Sequence, residues 1–244
     1  MEKIIKISTG IALIALMLIL TFVWFRKNDA FILKSARVHN NQLVSEMEIL
    51  SQAQIEFGKD IFKVDTGEIE ARIKRNPMVE KVSVSRFLPS ALKIKIKEKR
   101  LVASISGSLL AAVQPDGTVI EDYSPRALYD LPVITGLSFH ESPAGGRIPK
   151  QPHYIKQAAA ILNELRARDF VLSHEISELH FQQDRGIVLF LKGKRAMIIL
   201  GKSMFAQKLF NLSKVYLQLK KQGDLNKVLA LDLRYKDQVI VKYK

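Results

Sequence analysis

Hydrophobic and polar positions divide this chain into three regimes. The first is residues 7–25, nineteen uncharged and mostly apolar residues with no polar face. Wound as a helix, such a run is roughly 28 Å long, close to the hydrocarbon thickness of a bilayer. Lys3 and Lys6 precede it, Arg26 and Lys27 close it, and Trp24 stands where an interfacial aromatic belongs. The run predicts a membrane anchor over residues 1–27, carried by Ile11, Leu16, Leu20 and Trp24; basic residues flank both ends nearly equally, so charge does not set which side the body occupies. A secretory signal shares the basic start, but no small-x-small cleavage pattern follows; the run exits into Trp24-Phe25-Arg26-Lys27.

The second regime, residues 28–100, mixes periods. Residues 31–39 read as a strand. Ser45-Glu46-Met47-Glu48 has the form of a capping box, in which Ser45 takes the Glu48 amide and Glu48 returns to the Ser45 amide. Val44 and Ile49 occupy the positions of a hydrophobic staple. Met47, Leu50, Gln54 and Phe57 then recur at helical spacing until Gly58. Asp65 to Glu68 repeats the cap before a helix carrying Ile69 and Ile73, which ends before Pro77. Two period-two runs follow, residues 79–86 (Val82 and Val84 inward) and residues 92–98, joined by a turn at Phe87-Leu88-Pro89-Ser90. The order is β-α-α-β-β, two helices against a three-stranded sheet.

The third regime, residues 101–244, reads as a β-rich domain with two helices. Residues 109–113 and 118–121 flank a Pro115-Asp116-Gly117 turn. Residues 131–136 and 142–146 read as a loop-rich passage. Ile155, Ala158, Leu162 and Leu165 mark a helix over residues 153–168. Strands follow at 176–182, 187–191 and 196–200, and Gly201 breaks the run. Phe205, Leu209, Leu212, Tyr216 and Leu219 stripe a long helix, and residues 228–235 and 238–243 form a hairpin turning at Lys236-Asp237. In the last strand Val239, Val241 and Tyr243 share one face, while Gln238, Ile240, Lys242 and Lys244 share the other. Such a strand is expected at a sheet edge, where unpaired backbone either accepts a partner's strand or is guarded by Lys242 and Lys244.

Charge changes the picture little. The formal net charge of +14 includes +3 from the first 27 residues (four basic groups and Glu2), leaving +11 beyond them. Residues 86–100 hold six basic residues and Glu98. Lys93, Lys95 and Lys97 alternate with Ile94 and Ile96, a solvated strand face that would also blunt a sheet edge. No aromatic platform interleaves them, which argues against nucleic acid. There is no cysteine, so neither a disulfide nor a thiolate nucleophile is available. The chain has no Gly-x-Ser-x-Gly elbow, no P-loop, no Gly-x-Gly-x-x-Gly and no His-Glu-x-x-His, and its five histidines are scattered. His174 and His180, near Glu175 and Glu178, lack i, i+4 metal-ligand spacing. No enzyme, cofactor or metal site is expected.

Asn76-Pro77-Met78-Val79, Val82-x-Val84-x-Arg86, Pro89 and Leu92-x-Ile94-x-Ile96-x-Glu98 together resemble a POTRA domain. Leu131-Pro132 with Gly136, Leu200-Gly201 before a long helix, and Asp232-Leu233-Arg234-Tyr235 extend the resemblance to the FtsQ/DivIB family of bacterial cell-division proteins. That resemblance implies a single-pass protein of the cytoplasmic membrane with a short cytoplasmic start, residues 1–6, and its body in the periplasm or extracytoplasmic space, at the division septum. It implies a non-catalytic role, holding FtsB- and FtsL-like division proteins by strand addition at the C-terminal edge and so helping to control septal peptidoglycan synthesis. Arg234 and Tyr235 would line the partner site, and Arg185 corresponds to a further basic contact. Read from the residues alone, Asp232 and Arg234 equally suit a pair with each other. A POTRA-bearing protein of polypeptide translocation or outer-membrane assembly, and an envelope enzyme acting on wall polymer, are the alternatives that the first half by itself leaves open.

Overall fold

The structure is a computed structural model that describes residues 2–27, 29–106, 111–120, 130–141, 147–168 and 170–244. Glu2–Lys27 forms one helix, α1, of 26 residues. Its side chains are described over residues 10–24, and Ile11, Leu16, Leu20 and Trp24 are all exposed there. Among the described residues no helix is long and apolar enough to cross a membrane; the backbone helix continues past that stretch at both ends. Internal contacts divide the chain into two compact units, Met1–Glu98 and Lys99–Lys244.

In the first unit β1 (Ser35–His39), α2 (Glu46–Ala53), α3 (Thr66–Ile73), β2 (Val79–Phe87) and β3 (Ala91–Glu98) follow the expected order. The sheet runs β1-β3-β2, with β1 parallel and β2 antiparallel to β3. Period two does the sorting: Leu92, Ile94 and Ile96 are buried, and the alternating lysines face the other way. Because β3 is the central strand, those lysines guard no edge, contrary to the expectation. On the buried face Ile69 and Ile73 of α3 meet Ile49 and Ala53 of α2. Here α2 is rotated from its predicted face: Met47 and Phe57 are exposed, and Gln54 ends the helix in a left-handed conformation before Gly58 is reached. Val82, expected inward beside Val84, is only half-buried, next to a register shift early in β2.

Side-chain hydrogen bonds fix the joints of this unit. Ser45 Oγ accepts the Glu48 amide at 3.1 Å, and Val44 and Ile49 are both buried as a staple. The second half of the capping box is replaced, because the Glu48 carboxylate accepts from Asn76 Nδ2 at 2.8 Å. Asn76 also donates to Gln52 Oε1 and accepts the Met78 amide, so one buried amide side chain ties α2 to the turn leading into β2. Asp65 caps α3 through the Gly67 and Glu68 amides. Glu98, at the end of β3, accepts the amides of Gln42, Leu43 and Val44 and so orders the loop that leads into α2.

Among the described residues the second unit is built on a nine-stranded sheet with helices. Its strands are β4 (Ala103–Ile105), β5 (Ala111–Val113), β6 (Val119–Ile120), β7 (Val133–Thr135), β10 (Ile176–Gln182), β11 (Gly186–Leu191), β12 (Met197–Gly201), β13 (Val228–Asp232) and β14 (Ile240–Tyr243). They lie in the order β14-β13-β12-β11-β10-β7-β4-β5-β6. β8 (Phe139–Glu141) and β9 (Arg147–Pro149) pair separately. Ile134, Leu179, Leu189, Ile198 and Leu231 point to one face and pack with Ile155, Ala158, Leu162 and Leu165 of α4 (Pro152–Arg168) and Leu209, Leu212, Tyr216 and Leu219 of α6 (Phe205–Gln222). Burying each such Leu or Ile contributes about 1.5–3 kcal/mol. β7, in a passage read as loop, is an interior strand between β10 and β4. A third helix, α5 (Phe170–Glu175), stands beside the two expected, and a 3-10 turn covers Asp224–Lys227. Of the expected strands at 109–113 and 118–121, Leu109, Leu110 and Glu121 lie outside the described residues, as does the passage 142–146.

Candidate functional site

β14 pairs with β13 on one side only, and among the described residues no strand lies beyond it. Its pairing decides which backbone groups are free. The Lys244 amide donates to Lys227 O at 2.9 Å, so with antiparallel alternation the amides of Lys242 and Ile240 also turn toward β13. The N–H and C=O of Val241 and Tyr243 therefore point to the open edge. Val239 and Val241 turn their side chains into the core, so Val241 offers backbone rather than side chain. Tyr243, Tyr235, Leu229 and Ile240 supply the exposed apolar surface nearby, at 51%, 52%, 40% and 37% exposure.

Arg234 stands just past the end of β13, and its fork closes on Asp232: Nε lies 3.0 Å from Oδ1 and Nη2 2.7 Å from Oδ2. Asp232 also accepts the Arg234 amide at 3.1 Å and is 2% exposed, whereas the arginine side chain is 41% exposed. The pair foreseen from the sequence is thus present, and it leaves one edge of a positioned guanidinium facing solvent. The Arg234 hydrogen bonds hold the Asp232 carboxyl below its ordinary value against the opposing effect of burial. Lys208 of α6, buried with its Nζ 2.7 Å from Leu200 O, is held below its ordinary value by that burial, and the nearby Asp232 charge opposes the shift.

Two glycines bring the flanking turn to this point. Gly186 (φ +76) follows Arg185, and a Cβ there would overlap the carbonyl of Gly201. Gly201 (φ +81) in turn leaves room for the Arg234 Cγ, which an added Cβ would meet at 3.1 Å. Arg185 is exposed, 3.8 Å from Asp184 and 3.9 Å from the Met197 sulfur, and Asp184 acts electrostatically on Arg234. Asp232 pairs with Ile240 and Val228 with Tyr243, so Arg234 and Tyr235 stand beside the Ile240 end of the β14 edge, and Arg185 reaches their flank through the glycine contacts. Sequence reasoning did not single out Lys208, Leu229 or Gly186. Lys208 sits among apolar stripe residues and only its burial distinguishes it.

Thr135 Oγ1 bonds Glu178 and lies 2.7 Å from His180 Nδ1, on the sheet face away from the main core. His174 Nδ1 lies 3.4 Å from Ser173 Oγ. Among the described residues no three His, Cys, Asp or Glu side chains could hold a metal ion. A cleft of about 750 Å³ is lined by Gln151, Gln157, Gln182, Gln183, Tyr154 and Lys202, and by no carboxylate among the described residues.

Residues 31–99 match the FtsQ-type POTRA domain, and residues 105–234 match the C-terminal domain of cell division protein FtsQ/DivIB. Cell division protein FtsQ of Geotalea daltonii is 30% identical over 216 residues, which cover 87% of this chain and 76% of that one. The same protein of Geobacter sp. strain M21 is 29% identical over 86% of this chain and 75% of its own. Cell division protein DivIB of Staphylococcus pseudintermedius is 26% identical over 105 residues, 43% of this chain and 36% of its own. The β-α-α-β-β unit, the sheet that follows it and the Asp232–Tyr235 segment are accounted for together: the chain belongs to the FtsQ/DivIB family of cell division proteins.

Proposed function

We propose that this cell division protein is a single-pass, non-catalytic scaffold of the divisome that docks membrane-bound partners by strand addition at β14. Its parts are an anchor over residues 1–27, a POTRA domain over 28–100 and a partner-binding β domain over 101–244. The observation that carries the reading is the open edge of β14 beside the Arg234–Asp232 fork. An incoming strand would pair with the Val241 and Tyr243 backbone. Tyr235, Tyr243 and Ile240 would supply apolar contact, and Arg234, with Arg185 at the flank, would meet acidic residues of FtsB- or FtsL-like division proteins. Asp232 fixes the Arg234 side chain in advance, which lowers the ordering cost of such a contact. Through these partners the protein would help control septal peptidoglycan synthesis.

The anchor reading is supported by the uncharged run within α1 and its flanking lysines and arginine. Family membership supports a cytoplasmic start and an external body; the nearly balanced flanking charges favour neither side. Anchoring would raise the effective concentration of the edge for partners held in the same membrane. Depletion should produce filaments without septa. Arg234→Ala with Tyr235→Ala should abolish capture of the FtsB-like partner from crosslinked membranes; full capture by that double variant would remove the site from this edge.

A further inference from the structure

We infer that the end of the three-stranded sheet where α1 joins it is a lipid-contact surface, resting on an anionic phospholipid headgroup layer. This rests on the reading of α1 as a membrane-spanning helix. Among the described residues, four large apolar side chains are exposed in this unit outside the helices: Phe57 (54%), Phe62 (47%), Phe87 (65%) and Leu88 (52%). Scattered singly they would need no explanation. They are not scattered. β1 begins at Ser35, which pairs with Ala91, which pairs with Phe87, so the β2–β3 turn lies at the end of the sheet that receives the chain from α1. The Lys34 amide donates to Ser90 O at 2.8 Å within that turn. The segment bearing Phe57 and Phe62 is drawn to the same end, through Leu33 N to Lys59 O at 2.8 Å, Gly58 N to Leu33 O at 3.0 Å and Ile61 N to Phe31 O at 2.9 Å. Arg86 pins it by donating to Ile61 O and Val64 O, at 2.8 and 2.7 Å.

The depth of this end relative to α1 is fixed. From Lys27 to Phe31 is four residue steps, at most about 14 Å of extended chain. The chain does not extend: the Phe31 ring lies 5.8 Å from Phe22 within α1 and 5.4 Å from Phe62. A unit that reaches back beside the last turns of a spanning helix stands within a headgroup layer, which is about 5–8 Å thick per leaflet. Behind the apolar tip, Arg37 and Lys93 form the next row of the sheet, and exposed Lys34 and Lys63 have no ion-pair partner among the described residues. Apolar groups ahead of cations suit an interface whose acyl boundary lies beneath phosphates.

The test uses the full chain in vesicles of phosphatidylcholine and phosphatidylglycerol, with bromine at a shallow acyl position. Trp24, the single tryptophan, reports anchor insertion in the parent protein. In a Trp24→Phe background, Phe87→Trp and Leu88→Trp report the sheet end, and Met47→Trp, at an 81% exposed site near the opposite end, is the reference. Quenching of both probes should exceed that of the reference at least threefold, and should fall about twofold when phosphatidylglycerol is omitted. Quenching of Trp24 with no excess at residues 87 and 88 overturns the lipid surface and leaves the anchor standing. An unquenched Trp24 overturns both. Quenching that ignores phosphatidylglycerol overturns the anionic preference.

Discussion

Arg234 and Asp232 are joined by two parallel hydrogen bonds, one partner 41% exposed and the other 2% exposed. The buried member therefore depends on the exposed one. Because Arg234 holds the folded-state pKa of Asp232 below its ordinary 3.8, the stabilisation is fully present above that value and is lost as pH falls through the folded value. Asp232→Asn should cost about 1–3 kcal/mol at neutral pH and remove part of the acid-induced fall in stability. Urea unfolding between about pH 2 and pH 6 measures this, and a variant whose stability falls as steeply as the parent's toward low pH contradicts the assignment. The substitution should also lower the Lys208 pKa further, since the Asp232 charge now opposes its shift.

Glu98 is a single carboxylate serving three amides of the loop before α2. Glu98→Ala should destabilise the first unit by about 3 kcal/mol and Glu98→Gln by about 1, because the amide oxygen keeps part of the acceptor capacity. Hydrogen exchange at Gln42, Leu43 and Val44 should quicken in both variants. Unchanged protection in the alanine variant would show that the loop is held by other contacts.

Gly186 and Gly193 both have positive φ, but only Gly186 faces backbone where a Cβ would go. Gly193→Ala should cost about 1 kcal/mol, the left-handed penalty alone. Gly186→Ala adds the clash with Gly201 and should cost about 3 kcal/mol or more. It should also weaken partner capture, since Gly201 seats the Arg234 stem. Equal denaturation midpoints for the two alanine variants would contradict the close approach.

Strong periodicity made most of the fold legible. The β3 alternation, the α6 stripe and β10, which spans Ile176–Gln182 as expected, all follow patterns long enough to fix their phase. The misses are short. α2 has eight residues, too few turns to separate Met47 and Leu50 from Ile49 and Ala53 as the core face. Pro132 and Gly136 bracket only three residues of β7, so turn chemistry outweighed its apolar run, and the neighbours that make it a strand, β10 and β4, are distant in sequence. At the candidate site the Asp232–Arg234 spacing showed a possible pair, but the inward turn of Val239 and Val241 and the burial of Lys208 needed the sheet and helix in place. The expected guard role of Lys93, Lys95 and Lys97 failed because strand order is set by a parallel pairing of β1 that no local pattern encodes.

Docking by strand addition at β14 is tested most directly by moving one proline by one residue. Val241→Pro removes an amide that points to the open edge, so the sheet keeps its own ladder and the melting temperature should fall no further than in Val241→Ala, which loses the same partly buried packing. Lys242→Pro removes an amide turned toward β13 and should destabilise the unit markedly. The affinity of the full-length Val241→Pro chain for the proposed FtsB-like partner should drop at least tenfold while its fold is retained. Wild-type affinity in a folded Val241→Pro protein would contradict partner docking by backbone pairing at this edge.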